Sequence, residues 1–317
     1  MSDTSDAPFI SVVVPVYRGR ECLEELYRRV TVAVETISAD YELVLVDDAC
    51  PDESWPLIEE LSRRDSRVRG VQLSRNFGQH NAVSAGLVMS RGRWVVVMDC
   101  DLQDRPEEIP RLYETATTGN FSIVMARRAK RSGSRWKQLQ SKAFYRLFAY
   151  LTDLDYDGAV SNFSICERRV IDDVVRLKES VRYFPGFLFW LGYPTAFIDV
   201  DQDERFAGET SYTFAKLWKH SLDIILAHSN RPLRLCVSVG FVIAILAFLA
   251  GIYYMALAVG WGYEVSGWAS LIISIYFVSG VIMVMLGIVG LYVDKIFAEV
   301  KERPHFIVHK RTFDERS

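Results

Sequence analysis

The acidic residues Asp99 and Asp101 are the pair whose types and spacing point most directly to chemistry. They are separated by Cys100 and follow the apolar run Trp94–Met98. Two carboxylates this close together at the end of a strand are natural oxygen ligands for Mg²⁺ or Mn²⁺. Such an ion would bridge the diphosphate of a nucleotide-sugar and neutralise the leaving nucleoside diphosphate. Because two solvated or helix-capping aspartates can show the same spacing, the surrounding elements have to decide between the two interpretations.

Other charged side chains follow other apolar runs. Asp47 and Asp48 come directly after a second run, and Arg127 follows a third. Asp47 and Asp48 could form a second metal site or cap a helix, but nucleotide recognition is favoured. A carboxylate accepts hydrogen bonds from a base N–H or a ribose hydroxyl. The basic cluster that begins at Arg127 is either a solvated loop or a site for an anionic headgroup, and it continues with Arg128, Lys130, Arg131 and Arg135.

The elements that position these residues alternate between strand and helix. Continuous apolar runs predict strands over Ile10–Val16, Glu42–Val46, Val68–Leu73, Trp94–Met98 and Phe121–Ala126. Helical spacing predicts helices over Glu21–Ile37, Trp55–Arg63, Ala82–Met89 and Glu107–Thr117. This pattern predicts an α/β domain whose mostly parallel sheet has helices on both faces. Ligands bind beyond the carboxyl ends of such strands, so the charged residues should meet along one edge.

The last third of the chain has a different character. Leu235–Val259 and Ala269–Val293 are apolar runs of about 25 residues, long enough to cross a bilayer. A pair of buried core helices is the alternative, but helices of that kind rarely lack charge completely. The linker Gly260–Trp268 has no Lys or Arg, whereas the outer flanks carry Arg231, Arg234, Lys295, Lys301, Arg303, Lys310 and Arg311. By the positive-inside rule, both flanks and both termini are cytoplasmic.

Two further segments have an apolar stripe opposite basic residues. Phe214–Leu226 leads into the first apolar run, and we favour its lying at the membrane interface. For Trp136–Leu151, an interfacial position and packing against the domain are equally supported. The predicted organisation is therefore a cytoplasmic domain over 1–212, an interfacial helix over 213–234, two transmembrane helices over 235–293 and a cytoplasmic tail over 294–317.

Composition excludes several other classes of protein. The net charge of −3 lacks the basic excess of a general nucleic-acid binder. The five cysteines form no CxxC pair, so a zinc site or a thioredoxin-like motif is not expected. The polar, acidic start of the chain does not have the pattern of a signal peptide.

Four motifs carry a resemblance to a known family: Val12–Tyr17, Leu45–Asp48, Leu73–His80 and Met98–Asp104. They resemble glycosyltransferase family 2 with the GT-A fold. From about Ile10 to about Val308, the chain looks like the branch that acts on polyprenyl phosphates. That branch includes dolichyl-phosphate mannose synthases, bactoprenol glucosyltransferases and the aminoarabinose transferase of lipid A modification.

The resemblance implies roles for particular residues. Asp99, Asp101 and Gln103 would hold Mg²⁺ or Mn²⁺, and Arg127 and Arg205 would contact phosphates. The nucleotide pocket would be formed by Pro15, Tyr17, Glu21, Asp47 and Asp48. Uridine is the nucleoside most commonly bound in this family. The acceptor would be undecaprenyl phosphate in the bacterial cytoplasmic membrane. The tail would contain a strand that pairs with a neighbouring subunit, giving a homotetramer.

One position departs from the pattern of the family. Many relatives have Gly-Asp-Phe where this chain has Ser161-Asn162-Phe163, and the Asp has been proposed as a base in some of them. Asn162 cannot take a proton. Two other functions are disfavoured: a processive polysaccharide synthase, because the Q-x-x-R-W motif is missing, and a non-catalytic membrane scaffold, because the acidic edge is intact.

Overall fold

The computed structural model describes residues 7–128, 160–179, 181–201, 203, 229, 231–261 and 267–314. These residues belong to two compact units. The first contains the described residues between 7 and 203 together with 303–314, and the second contains those between 229 and 302. Arg205, the segments Phe214–Leu226 and Trp136–Leu151, and the basic residues between 130 and 135 lie outside the described residues.

Four parallel strands form the centre of the first unit. They are β1 (Ile10–Val16), β2 (Tyr41–Asp47), β3 (Val68–Leu73) and β4 (Trp94–Val97). Every residue of β1, β2 and β4 is buried, as expected for strands that are covered on both faces. The predicted bounds of these strands lie within one residue of the observed ones.

Helices connect these strands. They are α1 (Leu23–Glu35), α2 (Ser54–Arg64), α3 (Gln79–Met89) and α4 (Ile109–Gly119). Short 3₁₀ turns, Arg20–Cys22 and Pro106–Glu108, precede α1 and α4. The prediction placed the start of α3 at Ala82, whereas α3 begins at Gln79. The helix therefore includes Gln79, His80 and Asn81.

Three further strands widen the sheet beyond β4: β5 (Ile123–Arg128), β6 (Val160–Glu167) and β7 (Thr195–Val200). Helices α5 (Arg168–Arg176) and α6 (Phe184–Leu191) lie between β6 and β7 in the chain. The strand order is β7-β5-β6-β4-β1-β2-β3-β8, where β8 (Val308–Arg311) comes from the tail. The pairs β1–β2, β1–β4, β2–β3 and β5–β7 are parallel, which confirms the predicted mostly parallel sheet.

Apolar layers lie on both faces of the sheet, which confirms the predicted arrangement of helices. One layer includes Leu26 of α1, Ile58 of α2 and Leu112 of α4. The other includes Val83 of α3 and Val170 of α5.

Helix α3 lies close to the sheet at Gly86. A Cβ atom at Gly86 would be 2.3 Å from Cγ1 of Val13 and 3.0 Å from Cγ2 of Val46. A larger side chain would push the helix away from β1 and β2, because close-packed interiors have no room for extra atoms. The glycine therefore lets α3 pack closely on the two strands that lead to the site.

The second unit contains the long helices α7 (Arg231–Trp261) and α8 (Trp268–Val300). The segments Arg231–Tyr253 and Ser274–Val300 are long and apolar enough to cross a membrane. Large apolar side chains are exposed along both segments, among them Phe241, Phe248 and Met283. Exposing them to water would cost about 25 cal/mol for each Å² of apolar surface, whereas lipid would cover them. The two predicted apolar helices are thus present, and α8 continues past the predicted end at Val293.

The tail returns to the first unit. Strand β8 pairs antiparallel with β3 of the same chain. The Thr312 hydroxyl accepts a hydrogen bond from the Gly70 N–H at 2.8 Å and bonds the Ser62 hydroxyl at 2.9 Å. The Arg69 guanidinium lies 3.8 Å from the centre of the Phe313 ring. These contacts attach the tail to the outer edge of the sheet.

Candidate active site

The topology brings the predicted site residues to one edge of the sheet. Strands β1, β2 and β4 are parallel, so their carboxyl ends meet there. Strand β6 is antiparallel to both β4 and β5, so β5 also runs towards this edge. Asp47, Asp48, Asp99, Asp101 and Arg127 therefore belong to the same edge, as the strand-end argument predicted.

Asp47 and Asp48 are almost completely buried, with 1% and 2% of their surface exposed. The Asp47 carboxylate accepts hydrogen bonds from the Gln72 amide at 3.0 Å and from the Cys50 N–H at 3.1 Å. The backbone N–H of Asp48 donates to the Val16 carbonyl at 3.0 Å, which ties the end of β2 to that of β1. Both carboxylates are thus held in place by the chain itself.

The Asp48 carboxylate faces the segment that connects β3 to α3. Its two oxygens accept hydrogen bonds from the Phe77 N–H at 2.7 Å and the Gly78 N–H at 2.9 Å. Burial raises the pKa of Asp48 above its ordinary value, and the two N–H groups oppose part of that increase. A carboxylate has about four lone pairs, so these two bonds do not use all of the acceptor capacity of the Asp48 oxygens.

Asp99 lies at the end of β4 and is half-buried. Its Oδ1 atom accepts a hydrogen bond from Nε2 of Gln79 at 2.7 Å and a longer one from Nδ2 of Asn162 at 3.4 Å. Gln79 is the first residue of α3, and Asn162 lies in β6. The carboxylate is therefore held from two sides of β4.

A tight turn follows Asp99. The Gln103 N–H donates to the Asp101 carboxylate at 3.2 Å, and Leu102 between them has φ of 59°. A non-glycine residue in this left-handed region costs roughly 1 kcal/mol or more. Leu102 is 1% exposed, and its side chain packs in the core. Burial of this side chain holds the turn, so Asp101 and Gln103 stay at the surface edge, where both are half-buried.

The residues present fit a divalent ion of the Mg²⁺ or Mn²⁺ type. Within the part of the chain that the structure describes, no group of three or more His, Cys, Asp or Glu residues is placed to hold a metal. Asp99, Asp101 and the amide oxygen of Gln103 are instead a small set of hard oxygen donors. Mg²⁺ is usually held by one or two carboxylates together with the phosphates of a substrate, and this set matches that mode.

Cys100, between the two aspartates, has a structural role. A Cβ atom at Gly19 would lie only 2.8 Å from its sulfur, so the loop after β1 packs directly on the thiol. Burial raises the pKa of Cys100 to about 12. A thiol with a raised pKa is a weak nucleophile, so Cys100 contributes packing to this turn.

The residues after β1 border the same edge. Pro15 is buried within β1, whereas Tyr17 is 39% exposed and Glu21 is exposed in the 3₁₀ turn before α1. The Arg18 guanidinium lies 5.7 Å from the centre of the Tyr17 ring. The ring of Tyr17 therefore presents an exposed aromatic surface beside the end of β1.

Arg127 is part of β5 rather than of the loop that follows it. Its Nε atom donates to the carboxylate of Asp199, in β7, at 2.7 Å. This bond lowers the pKa of Asp199. Sequence reasoning did not identify Asp199, Gln72 or Gln79 as neighbours of the site. The one local signal for Gln79 was Gly78 immediately before a helical pattern.

Comparisons with known proteins show the family to which the chain belongs. Residues 11–183 match the family model described as Glycosyl transferase family 2. The chain is 36% identical over 301 residues to the uncharacterized glycosyltransferase YkcC of Bacillus subtilis (strain 168), covering 95% of this chain and 93% of that protein. It is 32% identical to the prophage bactoprenol glucosyl transferase homolog of Escherichia coli (strain K12), covering 95% and 98%. It is 31% identical to the undecaprenyl-phosphate 4-deoxy-4-formamido-L-arabinose transferase of Photorhabdus laumondii, covering 97% and 95%.

Proposed function

Because the chain belongs to glycosyltransferase family 2, we propose that it transfers one sugar from a nucleotide-sugar to the phosphate of undecaprenyl phosphate. The donor is a UDP-sugar, and the product is a lipid-phosphate-linked monosaccharide for modification of envelope glycans. The configuration at the anomeric carbon is inverted.

The observation that carries this proposal is the acidic edge of the sheet. Asp99 and Asp101 follow β4, and Asp47 and Asp48 lie at the end of β2, on the other side of β1. Arg127 is in β5, which is separated from β4 by β6. The similarity to relatives whose names state bactoprenol or undecaprenyl-phosphate transfer covers about the whole chain, including α7 and α8. The acidic edge of the sheet suits a water-soluble nucleotide-sugar donor. The two apolar helices suit a lipid acceptor.

The roles follow the chemistry of the side chains. Asp99, Asp101 and Gln103 would hold Mg²⁺ or Mn²⁺, and the ion would supply positive charge to neutralise the leaving diphosphate. The nucleotide lies against Pro15, Tyr17, Glu21, Asp47 and Asp48. Arg127 contacts a phosphate, since a guanidinium matches phosphate geometry. We assign the same role to Arg205.

The reaction needs no side-chain base. An acceptor phosphate oxygen forms a bond to the anomeric carbon while the bond from that carbon to the diphosphate breaks, and its electron pair leaves with UDP. A phosphate monoester has a second pKa of about 6, so the acceptor oxygen is already anionic near pH 7. Asn162, near Asp99, therefore has no proton to take. Positioning and charge stabilisation supply the rate enhancement.

The proposal places the protein in the bacterial cytoplasmic membrane as a multi-pass protein. Helices α7 and α8 cross the bilayer, and the catalytic unit and both termini are cytoplasmic. The distribution of Lys and Arg around the two apolar runs supports this orientation. Reactivity of single introduced cysteines with a membrane-impermeant reagent in intact cells tests it.

A homotetramer stays a prediction from the family resemblance. Strand β8 pairs with β3 of its own chain and is the last strand on that side of the described sheet. The mass of the detergent-solubilised protein, measured by light scattering, tests the subunit number.

The proposed function is tested with membranes that contain the protein, radiolabelled UDP-sugars and Mg²⁺ or Mn²⁺, followed by solvent extraction of lipids. We expect label from one donor to enter the lipid fraction. Label in long polymer would instead indicate a processive synthase. No labelled lipid with any of a broad panel of donors would overturn the proposal.

A further inference from the structure

A short segment between β3 and α3 contacts the carboxylates at the ends of two other strands. Phe77 and Gly78 donate their backbone N–H groups to Asp48, after β2. The next residue, Gln79, donates its side-chain amide to Asp99, after β4, at 2.7 Å. Three consecutive residues thus join the carboxylate assigned to the nucleotide and the carboxylate assigned to the metal.

The conformation of this segment is restricted by its backbone and by hydrogen bonds. Gly78 has φ of 93° and ψ of 155°, a conformation that is essentially restricted to glycine. The Asn81 side chain donates to the Phe77 carbonyl at 2.8 Å, and the Ala82 N–H donates to the Gly78 carbonyl at 3.1 Å. Because α3 is also packed closely on β1 and β2 through Gly86, the first residue of α3 has a fixed position relative to the sheet.

The bond from Gln79 has a defined chemical consequence. A primary amide N–H donates only to an acceptor, so this bond favours the orientation of the Asp99 side chain in which Oδ1 faces Gln79. Asn162 donates to the same oxygen, Oδ1, from β6 at 3.4 Å. Of the two contacts, the shorter one from Gln79 has the better hydrogen-bond distance.

We infer that Gln79 is a positioning residue, which orients Asp99 for a divalent ion on the donor diphosphate; this inference rests on the proposed function. Groups that orient metal-binding carboxylates usually affect metal affinity or activity about 10- to 100-fold. The effect of Gln79 passes through the orientation of Asp99.

The test compares the full-length protein in detergent with three variants. Gln79→Leu removes the amide, and Gln79→Glu keeps the shape of the side chain but replaces the donor with a carboxylate. Thr118→Val is the matched control, since it removes one side-chain hydrogen bond on the exposed face of α4. Calorimetry measures Mn²⁺ binding in the presence of UDP, thermal unfolding measures stability, and transfer is measured over a range of Mn²⁺ concentrations.

We expect both Gln79 variants to bind Mn²⁺ about 10- to 100-fold more weakly while unfolding at nearly the wild-type temperature. Excess Mn²⁺ should restore part of the transfer rate of Gln79→Leu, and Thr118→Val should behave as wild type. Wild-type Mn²⁺ affinity in Gln79→Glu or Gln79→Leu would overturn the inference and leave the proposed function intact. A loss of activity together with a lower unfolding temperature, but with unchanged Mn²⁺ affinity, would also overturn the inference. If the wild-type protein with UDP bound no Mn²⁺, the metal role of the proposed function would fail and the inference with it.

Discussion

The two carboxylate pairs at the site, Asp47–Asp48 and Asp99–Asp101, have the same chemistry but different surroundings. The first pair is buried and accepts hydrogen bonds from four groups of the chain, two of them backbone N–H groups of the segment before α3. The second pair is half-buried at the end of β4. Both pairs accept hydrogen bonds from the chain, but the first pair is almost completely enclosed, whereas more of the second pair is exposed.

This difference in burial predicts that one pair matters more for stability and the other more for activity. Removing a buried carboxylate leaves its N–H partners without an acceptor, which costs stability. Removing a half-buried carboxylate that acts on a ligand costs activity and little stability. Substitutions at the two pairs should therefore have different effects on transfer and on unfolding.

Asp101→Asn should have the largest effect on transfer. The substitution keeps the size of the side chain but removes a charge that is proposed to act on the leaving diphosphate. We expect the transfer rate to fall by about 10²–10³-fold, comparable to the loss of one group that stabilises developing charge. The rate of lipid labelling measures this, with Thr118→Val as the control. A variant that retained more than about a tenth of the wild-type rate would remove the metal assignment.

Asp48→Asn should instead lower stability. The new amide presents an N–H group where Phe77 or Gly78 needs an acceptor, so one partly buried donor loses its partner. The expected cost is about 1–3 kcal/mol. Thermal unfolding in detergent measures it, and Asp101→Asn should unfold near the wild-type temperature. Equal unfolding temperatures for Asp48→Asn and Asp101→Asn would break the comparison between the two pairs.

The pH dependence of the Asp48→Asn effect has a predicted sign. Burial raises the pKa of Asp48 in the folded protein, so the folded state favours the protonated carboxyl more than the unfolded state does. The resulting stability is present below the ordinary pKa and is lost as pH rises through the raised pKa. The stability of wild type relative to Asp48→Asn should therefore decrease as the pH rises from the ordinary pKa of an aspartate, about 4, towards neutral. Unfolding temperatures of both proteins across this range measure it, and an increase would contradict the assignment.

Thr312→Val should have the smallest effect. The hydroxyl joins the tail to Gly70 and Ser62, away from both carboxylate pairs. Loss of these bonds should cost about 1 kcal/mol and leave Mn²⁺ and UDP binding unchanged. Thermal unfolding and calorimetry measure the two quantities. A marked loss of nucleotide binding would show that the tail controls the site as well as the edge of the sheet.

The sequence was sufficient to predict β1, β2 and β4 because burial on both faces leaves mostly apolar runs there. Strands β6 and β7 were not predicted. Strand β6 contains Ser161, Asn162 and Ser164, and much of β7 is only partly buried. Their positions depend on pairing with β5, which is a contact between distant parts of the chain. Local patterns do not contain that information.

In the candidate site, too, local sequence predicts some features, whereas others depend on contacts between distant parts of the chain. Asp47, Asp48, Asp99 and Asp101 could be predicted because each follows an apolar run, and parallel strands place their ends together. The contact from Gln79 could not be predicted, because it depends on where α3 begins and how closely it packs through Gly86. Gly78 was the available signal for that helix start.

The most direct test of the central claim is the mass of the lipid made by the purified protein with undecaprenyl phosphate, a UDP-sugar and Mn²⁺. The account predicts one product whose mass equals that of the acceptor plus a single sugar residue, together with one UDP released for each product formed. It also predicts that Asp101→Asn makes almost none. Lipids carrying several sugars, or release of UDP without any lipid product, would contradict it.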